Sequence, residues 1–234
     1  HRPPTTDQGQ GQSPCRNETM TATTTLRSTG RTEAFSDGVM AIAITLLILN
    51  VHIDTAYASA HGLLRALNHE WPAYLAYITA FLTVAIMWLN HHALFDKITE
   101  VDKSLAWTNL ALLFTISVLP FPTSVVAQYL RAGGTDAKVA VSLYGLLSML
   151  NGFAWLGSWV HLARYPELLR APYDAAYARL ERRRTALGVA TYAAATAIAW
   201  VAPMVAVLLF LAVAIFYAVT SSGSRPQAAG DVNA

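Results

Sequence analysis

A few side chains in this largely apolar chain could do chemistry: Ser36, Asp37, Trp88, Asn90, His91, His92 and Asn109. Polar and ionisable groups are costly in an apolar environment, so they point first to function. Asp37 facing His91 or His92 could form a proton relay, and a histidine there could titrate near neutral pH. Metal binding is disfavoured. Adjacent histidines on a helix point about 100° apart, whereas one ion asks for i, i+3 or i, i+4 spacing. The structural alternative is favoured: a buried carboxylate needs charged or hydrogen-bonding partners, and Arg31, the histidines and two asparagines supply them. No nucleophile stands at a recognisable spacing from a base, and there is no Gly-rich phosphate loop. The sequence therefore predicts no catalysis, no cofactor and no metal.

The elements that must position these residues are membrane helices. Of the 234 residues 54% are hydrophobic and 13% charged, where soluble domains carry about a quarter charged residues. Mean hydropathy is +0.38. The charges gather in short stretches between long apolar runs, which is the pattern of a polytopic membrane protein. A net charge of +2 arises from basic residues at helix ends and loops, so no nucleic-acid partner is implied. The single cysteine, Cys15, excludes an intrachain disulfide and a cysteine-rich metal site.

Six spans are expected, at about Glu33–Ile53, Pro72–Phe95, Ser104–Gln128, Lys138–Leu162, from after Arg184 to Ala202, and Pro203–Thr220. The last two form one apolar stretch too long for a single crossing. Trp200 and Pro203 divide it into a hairpin. Residues 1–28, rich in Thr, Gln, Gly, Ser and Pro, are expected to be a disordered tail. Within them, residues 1–19, ahead of Met20, are set aside as of doubtful native origin. Residues 29–222 make the membrane domain, and 223–234 a flexible tail. The connection over residues 163–184 is expected to be a basic cytoplasmic loop near anionic headgroups rather than a specific lipid site, within which Tyr173 to Leu180 could form an amphipathic surface helix.

Orientation follows from Lys and Arg. With the N-terminus cytoplasmic, thirteen fall on inside segments and three (Arg65, Arg131, Lys138) outside. The positive-inside bias therefore puts both termini in the cytoplasm. Spans 1, 2 and 3 then bring Ser36 and Asp37, Asn90 to His92, and Trp107 and Asn109 to one cytoplasmic layer. No copy of the Phe35-Ser36-Asp37-Gly38 stretch recurs in spans 3 to 6, which weighs against an inverted-repeat transporter.

Helical geometry divides span 1 by face. Taking Ile42 as reference, Thr45, Leu46 and Leu49 fall within roughly 60° of it. Asp37 falls roughly 140° away, and Ser36 about 120° the other way. On periodicity alone, an apolar stripe with one hydroxyl is ordinary helix or lipid contact.

Arg31-x3-Phe35-Ser36-Asp37-Gly38, followed by Ala41 to Asn50, resembles the first-helix signature of the transmembrane-protein-175 potassium channels, in their prokaryotic branch of one six-helix repeat per chain. Trp88-x2-His91-His92, the Asn109 region and Leu119-Pro-Phe-Pro-Thr123 fit as well. The resemblance implies an all-α homotetramer in the cell membrane, with the first helix of each subunit lining a pore for monovalent cations. It implies weak selectivity for potassium over sodium. The constriction falls on Ile42, with Thr45, Leu46 and Leu49 on the same pore face. Arg31, Phe35, Ser36 and Asp37 carry over as a structural network with Trp88, Asn90, His91, His92 and Asn109. A proton-coupled transporter using Asp37, His91 and His92 is the alternative function.

Overall fold

The computed structural model describes residues 29–220, and these are almost wholly helical. Both expected tails, 1–28 and 223–234, lie outside the described residues. Helix α1 runs Thr29–Leu46 and ends in a 3-10 turn, Leu47–Asn50. Two short helices follow, α2 (Thr55–His61) and α3 (Leu63–His69). The Asp54 carboxylate caps α2 by accepting from the N–H groups of Ala56 and Tyr57. Gly62, at φ 88°, separates the two helices in a conformation glycine adopts freely.

Helix α4 (Trp71–Phe95) begins where expected, with Pro72 in its first turn. The third expected span is broken in two, α5 (Lys103–Val118) and α6 (Pro120–Tyr129). Pro120 has no N–H to continue the α5 ladder. Its carbonyl instead accepts from the Asn50 side chain at 3.1 Å, which pins the end of the first span to the break. Helix α7 spans Gly134–Arg164. At 31 residues it is about 46 Å long, longer than the roughly 30 Å bilayer core.

Helix α8 (Ala175–Ile198) corrects one expectation. Tyr173 to Leu180 does not make a separate surface helix. From Ala175 onward it is the first part of α8, capped by the Asp174 carboxylate, which accepts from Tyr177 N–H. Helix α9 (Pro203–Thr220) has the expected limits. Among the described residues, four helical stretches are long and apolar enough to cross a membrane: Thr29–His61, Trp71–Phe95, Lys103–Tyr129 and Gly134–Arg164. Pro203–Val219 is apolar but shorter, and α8 is apolar only beyond its Arg-rich start.

Two apolar clusters hold the helices. The larger joins Met40 and Ala43 of α1, and Leu47 of the 3-10 turn, to α4, α5, α6, α7, α8 and α9. The smaller joins the ends of α4 and α7 to the connections around Ile98 and Leu169. Those connections also pair through backbone hydrogen bonds, Thr99 N–H to Leu168 and Arg170 N–H to Lys97. Small residues bring α7 close to α8. A Cβ on Gly152 would stand 2.8 Å from Val189 Cγ2, and one on Gly145 would overlap Thr196.

Candidate functional site

Helix α1 buries Ser36, Met40 and Ala43, with Leu47 following in the 3-10 turn. These positions recur every three or four residues, so they form one stripe against the rest of the chain. The opposite face carries Ile42, Thr45, Leu46 and Leu49, all exposed, with Ile42 62% and Leu49 71% accessible. In the 3-10 turn, side chains three apart eclipse, so Leu49 lies directly below Leu46. The Thr45 hydroxyl lies 2.9 Å from both the Ala41 and the Ile42 carbonyl oxygens. Its proton is therefore held by the backbone, and its lone pairs remain outward on this face.

The buried face is fixed by polar bonds at one end. The Trp88 indole N–H donates to Asp37 Oδ1 at 2.9 Å. His92 Nδ1 lies 2.9 Å from Glu33 Oε1. Glu33 and Asp37 stand one turn apart on α1, as Trp88 and His92 do on α4. The two antiparallel helices thus interlock through matched i, i+4 pairs. A third helix joins through Asn109 of α5, whose amide N–H donates to Ser36 Oγ at 3.0 Å. Asn109 Oδ1 lies 2.9 Å from His91 Nε2. Ser36 and His91 are fully buried, and the Ser36 hydroxyl donates onward to Thr32 O at 2.8 Å. These bonds leave His91 Nε2 as the protonated nitrogen.

Ser36, Asp37, Trp88, His91, His92 and Asn109 thus share one layer. Three residues grouped with them do not join it. Arg31 is exposed, and no carboxylate lies within salt-bridge distance of it among the described residues. Phe35 is 56% accessible; seven residues before Ile42, it lies on the same helix face. Asn90 points to the other side of α4, into an internal cavity. Glu33 was missed by sequence reasoning. The signal for it is its spacing of four from Asp37, which mirrors Trp88 and His92. Asp37, His91 and His92 each bond a different partner, and among the described residues no direct hydrogen bond links them. Among the described residues no group of three His, Cys, Asp or Glu could hold a metal ion.

The fold and this layer describe a multi-helix membrane protein whose first helix is anchored on one side and bare on the other. A family model described as the endosomal/lysosomal potassium channel TMEM175 matches residues 31–120. A potassium channel of Streptomyces collinus is 38% identical over 192 residues, covering 82% of this chain and 92% of that protein. A potassium channel of Chamaesiphon minutus is 33% identical over 195 residues, covering 83% and 95%. The crystal structure of a lysosomal potassium-selective channel TMEM175 homolog from Chamaesiphon minutus superposes with a TM-score of 0.75. It is 32% identical and covers 83% of this chain and 98% of that one. The chain belongs to the TMEM175 family of ion channels and is not an enzyme.

Proposed function

We propose that the chain is the subunit of a homotetrameric, potassium-permeable channel of the cell membrane, with α1 of each subunit lining the pore. Both termini are cytoplasmic, as the Lys and Arg bias asks, and each chain crosses six times, α8 and α9 supplying the last two crossings. The observation that carries the reading is the division of α1. Ser36, Met40, Ala43 and Leu47 hold it to its own chain, while Ile42, Thr45, Leu46 and Leu49 are exposed on the other side. In a chain matching named potassium channels over nearly their whole length, that bare face fits a central axis.

Four Ile42 side chains around such an axis form an apolar ring, which resists wetting and makes ions shed water to pass. Potassium holds its hydration shell less tightly than sodium, so a ring of this kind favours it weakly. Thr45 lone pairs next to the ring offer partial replacement ligands. Liposomes holding the purified chain test the proposal. They should release a potassium gradient passively, sodium more slowly, without coupled proton movement. The detergent-solubilised particle should weigh about four times the 25.3 kDa chain. A monomer, or flux with a fixed proton stoichiometry, would overturn it.

A further inference from the structure

A cavity of about 390 Å3 lies inside the protomer, walled by α4, α5, α7, α8 and α9, and no residue of α1 lines it. That volume suits a small-molecule site. The exposed area of the wall is mainly apolar, and among its polar groups three stand out.

Just beyond α4, the ammonium group of Lys97 donates to Ala93 O at 2.8 Å and lies 5.6 and 5.9 Å from the ring centres of Tyr173 and Tyr177. Among the described residues no carboxylate lies within salt-bridge distance of it. Glu181, on the same wall, is bonded to Arg184 at 3.0 Å. Burial pushes the Lys97 pKa below the ordinary lysine value, although Glu181 and Asp96 pull it back. The second is Trp159, only 4% accessible, whose indole N–H has no partner among the described residues. It packs edge-on to Tyr177, the ring that Lys97 also approaches, and both residues line the cavity. The third is Asn151, 7% accessible. One end of its amide meets Thr115 Oγ1 at 2.7 Å, and the other has no partner, whichever way round the amide is set. Eight residues separate Asn151 from Trp159, about 12 Å along α7.

We propose that this cavity binds a single-chain amphipathic anion, its carboxylate or phosphate head held by Lys97 and the Trp159 N–H and its alkyl body against Leu147, Ile116 and Val189. A half-buried cation with no carboxylate in direct contact favours an anion over a neutral molecule. The apolar wall favours an alkyl body over an inorganic ion. Arg184 and the exposed Leu187 stand at the rim on α8. Arg179, Arg182 and Arg183 lie on the same stretch of that helix, and they draw anionic headgroups toward the opening. A hydrogen-bonding group on the body would meet Asn151.

The full chain, held in phosphatidylcholine nanodiscs, is labelled with a hexadecanoate carrying a mid-chain diazirine, and the adducts are mapped by mass spectrometry. They should fall on the cavity segments of α7 and α8. Excess dodecanoate should lower them at least fivefold, and dodecanol should not. Lys97→Met should lower labelling at least fivefold and Lys97→Arg should retain it. Ser148→Phe, which fills the cavity and leaves the rim charge intact, should abolish it even if Lys97→Met assembles poorly. Competition by lysophosphatidylglycerol, the single-chain anionic lipid, as well as by dodecanoate would identify a membrane-derived lysolipid as occupant; competition by dodecanoate alone would identify a free fatty acid. Labelling confined to lipid-facing residues, equal competition by dodecanol, or indifference to both Lys97→Met and Ser148→Phe would overturn the proposal and leave a water-filled cavity.

Discussion

The Asp37 carboxylate accepts the Trp88 indole N–H at 2.9 Å, one turn from the contact of Glu33 with His92. Two matched pairs on antiparallel helices set both the depth and the rotation of α1. Rotation matters most here. A turn of α1 by about 100° is one residue of the helix, and it would bring Ala41 or Ala43 to where Ile42 now faces.

Trp88→Phe keeps the ring and removes the N–H. Because Trp88 is 42% accessible, the lost charge-assisted bond is worth less than a buried one, about 1 kcal/mol. The melting temperature of the detergent-solubilised protein should fall by a few degrees. Asp37→Ala should reduce the yield of assembled particles more than it alters ion preference. If ion preference vanished in intact particles, Asp37 would belong to the permeation path.

Asn109→Leu should cost more. It leaves the His91 N–H, fully buried, without an acceptor, at about 1–3 kcal/mol. Ser36 keeps its bond to Thr32 O, so the cost falls mainly on the α4 side. His91→Leu combined with Asn109→Leu should be less destabilising than the sum of the two changes, because the second removes a partner already lost. Additive melting shifts would show that the two side chains are not coupled.

Much of this was legible in the sequence, for identifiable reasons. Pro72 and Pro203 mark the starts of α4 and α9, and long apolar runs mark their lengths. The shared layer follows from putting alternate spans in opposite directions, since polar groups near the start of one meet those near the end of the next. Other features arise only in three dimensions. Pro120 was in view, yet the Asn50 bond to its carbonyl, which ties the first span to the break, joins residues seventy apart in sequence. Phe35 sits within the polar motif by sequence, but the helix carries it to the Ile42 face. The cavity next to Lys97 could not be read at all, because its wall comes from five helices that meet only by packing.

Small residues between α7 and α8 give a test of the packing itself. Gly152→Val would put its Cβ 2.8 Å from Val189 Cγ2, and β-branched Val189 has little freedom to move away. Overpacking of this kind costs about 1–3 kcal/mol, so the melting temperature should fall clearly. Gly38→Ala is the control. Nothing lies within 4 Å of a Cβ there inside the protomer. Its effect on the protomer should be slight or favourable, so a loss of assembly on Gly38→Ala would report contact with a neighbouring subunit.

The sharpest test of the pore concerns Ile42. If four of these side chains form the narrowest ring, the barrier to permeation is the cost of keeping water and a partly dehydrated ion among apolar groups. Ile42→Asn replaces that ring with amide dipoles, and Ile42→Ala widens it. Both should raise single-channel conductance several-fold in planar bilayers, with Ile42→Asn also weakening discrimination between potassium and sodium. Thr45→Val keeps the shape and removes the hydroxyl oxygen, so it should lower potassium current without widening the pore. The opposite face of the helix supplies a control. Ala43, 2% accessible, neighbours Ile42 in sequence but points into the protomer. Ala43→Ser should therefore leave conductance unchanged. If Ile42→Asn and Ala43→Ser had equal effects, α1 would be rotated in the assembly, and the pore face would have to be sought elsewhere on the helix.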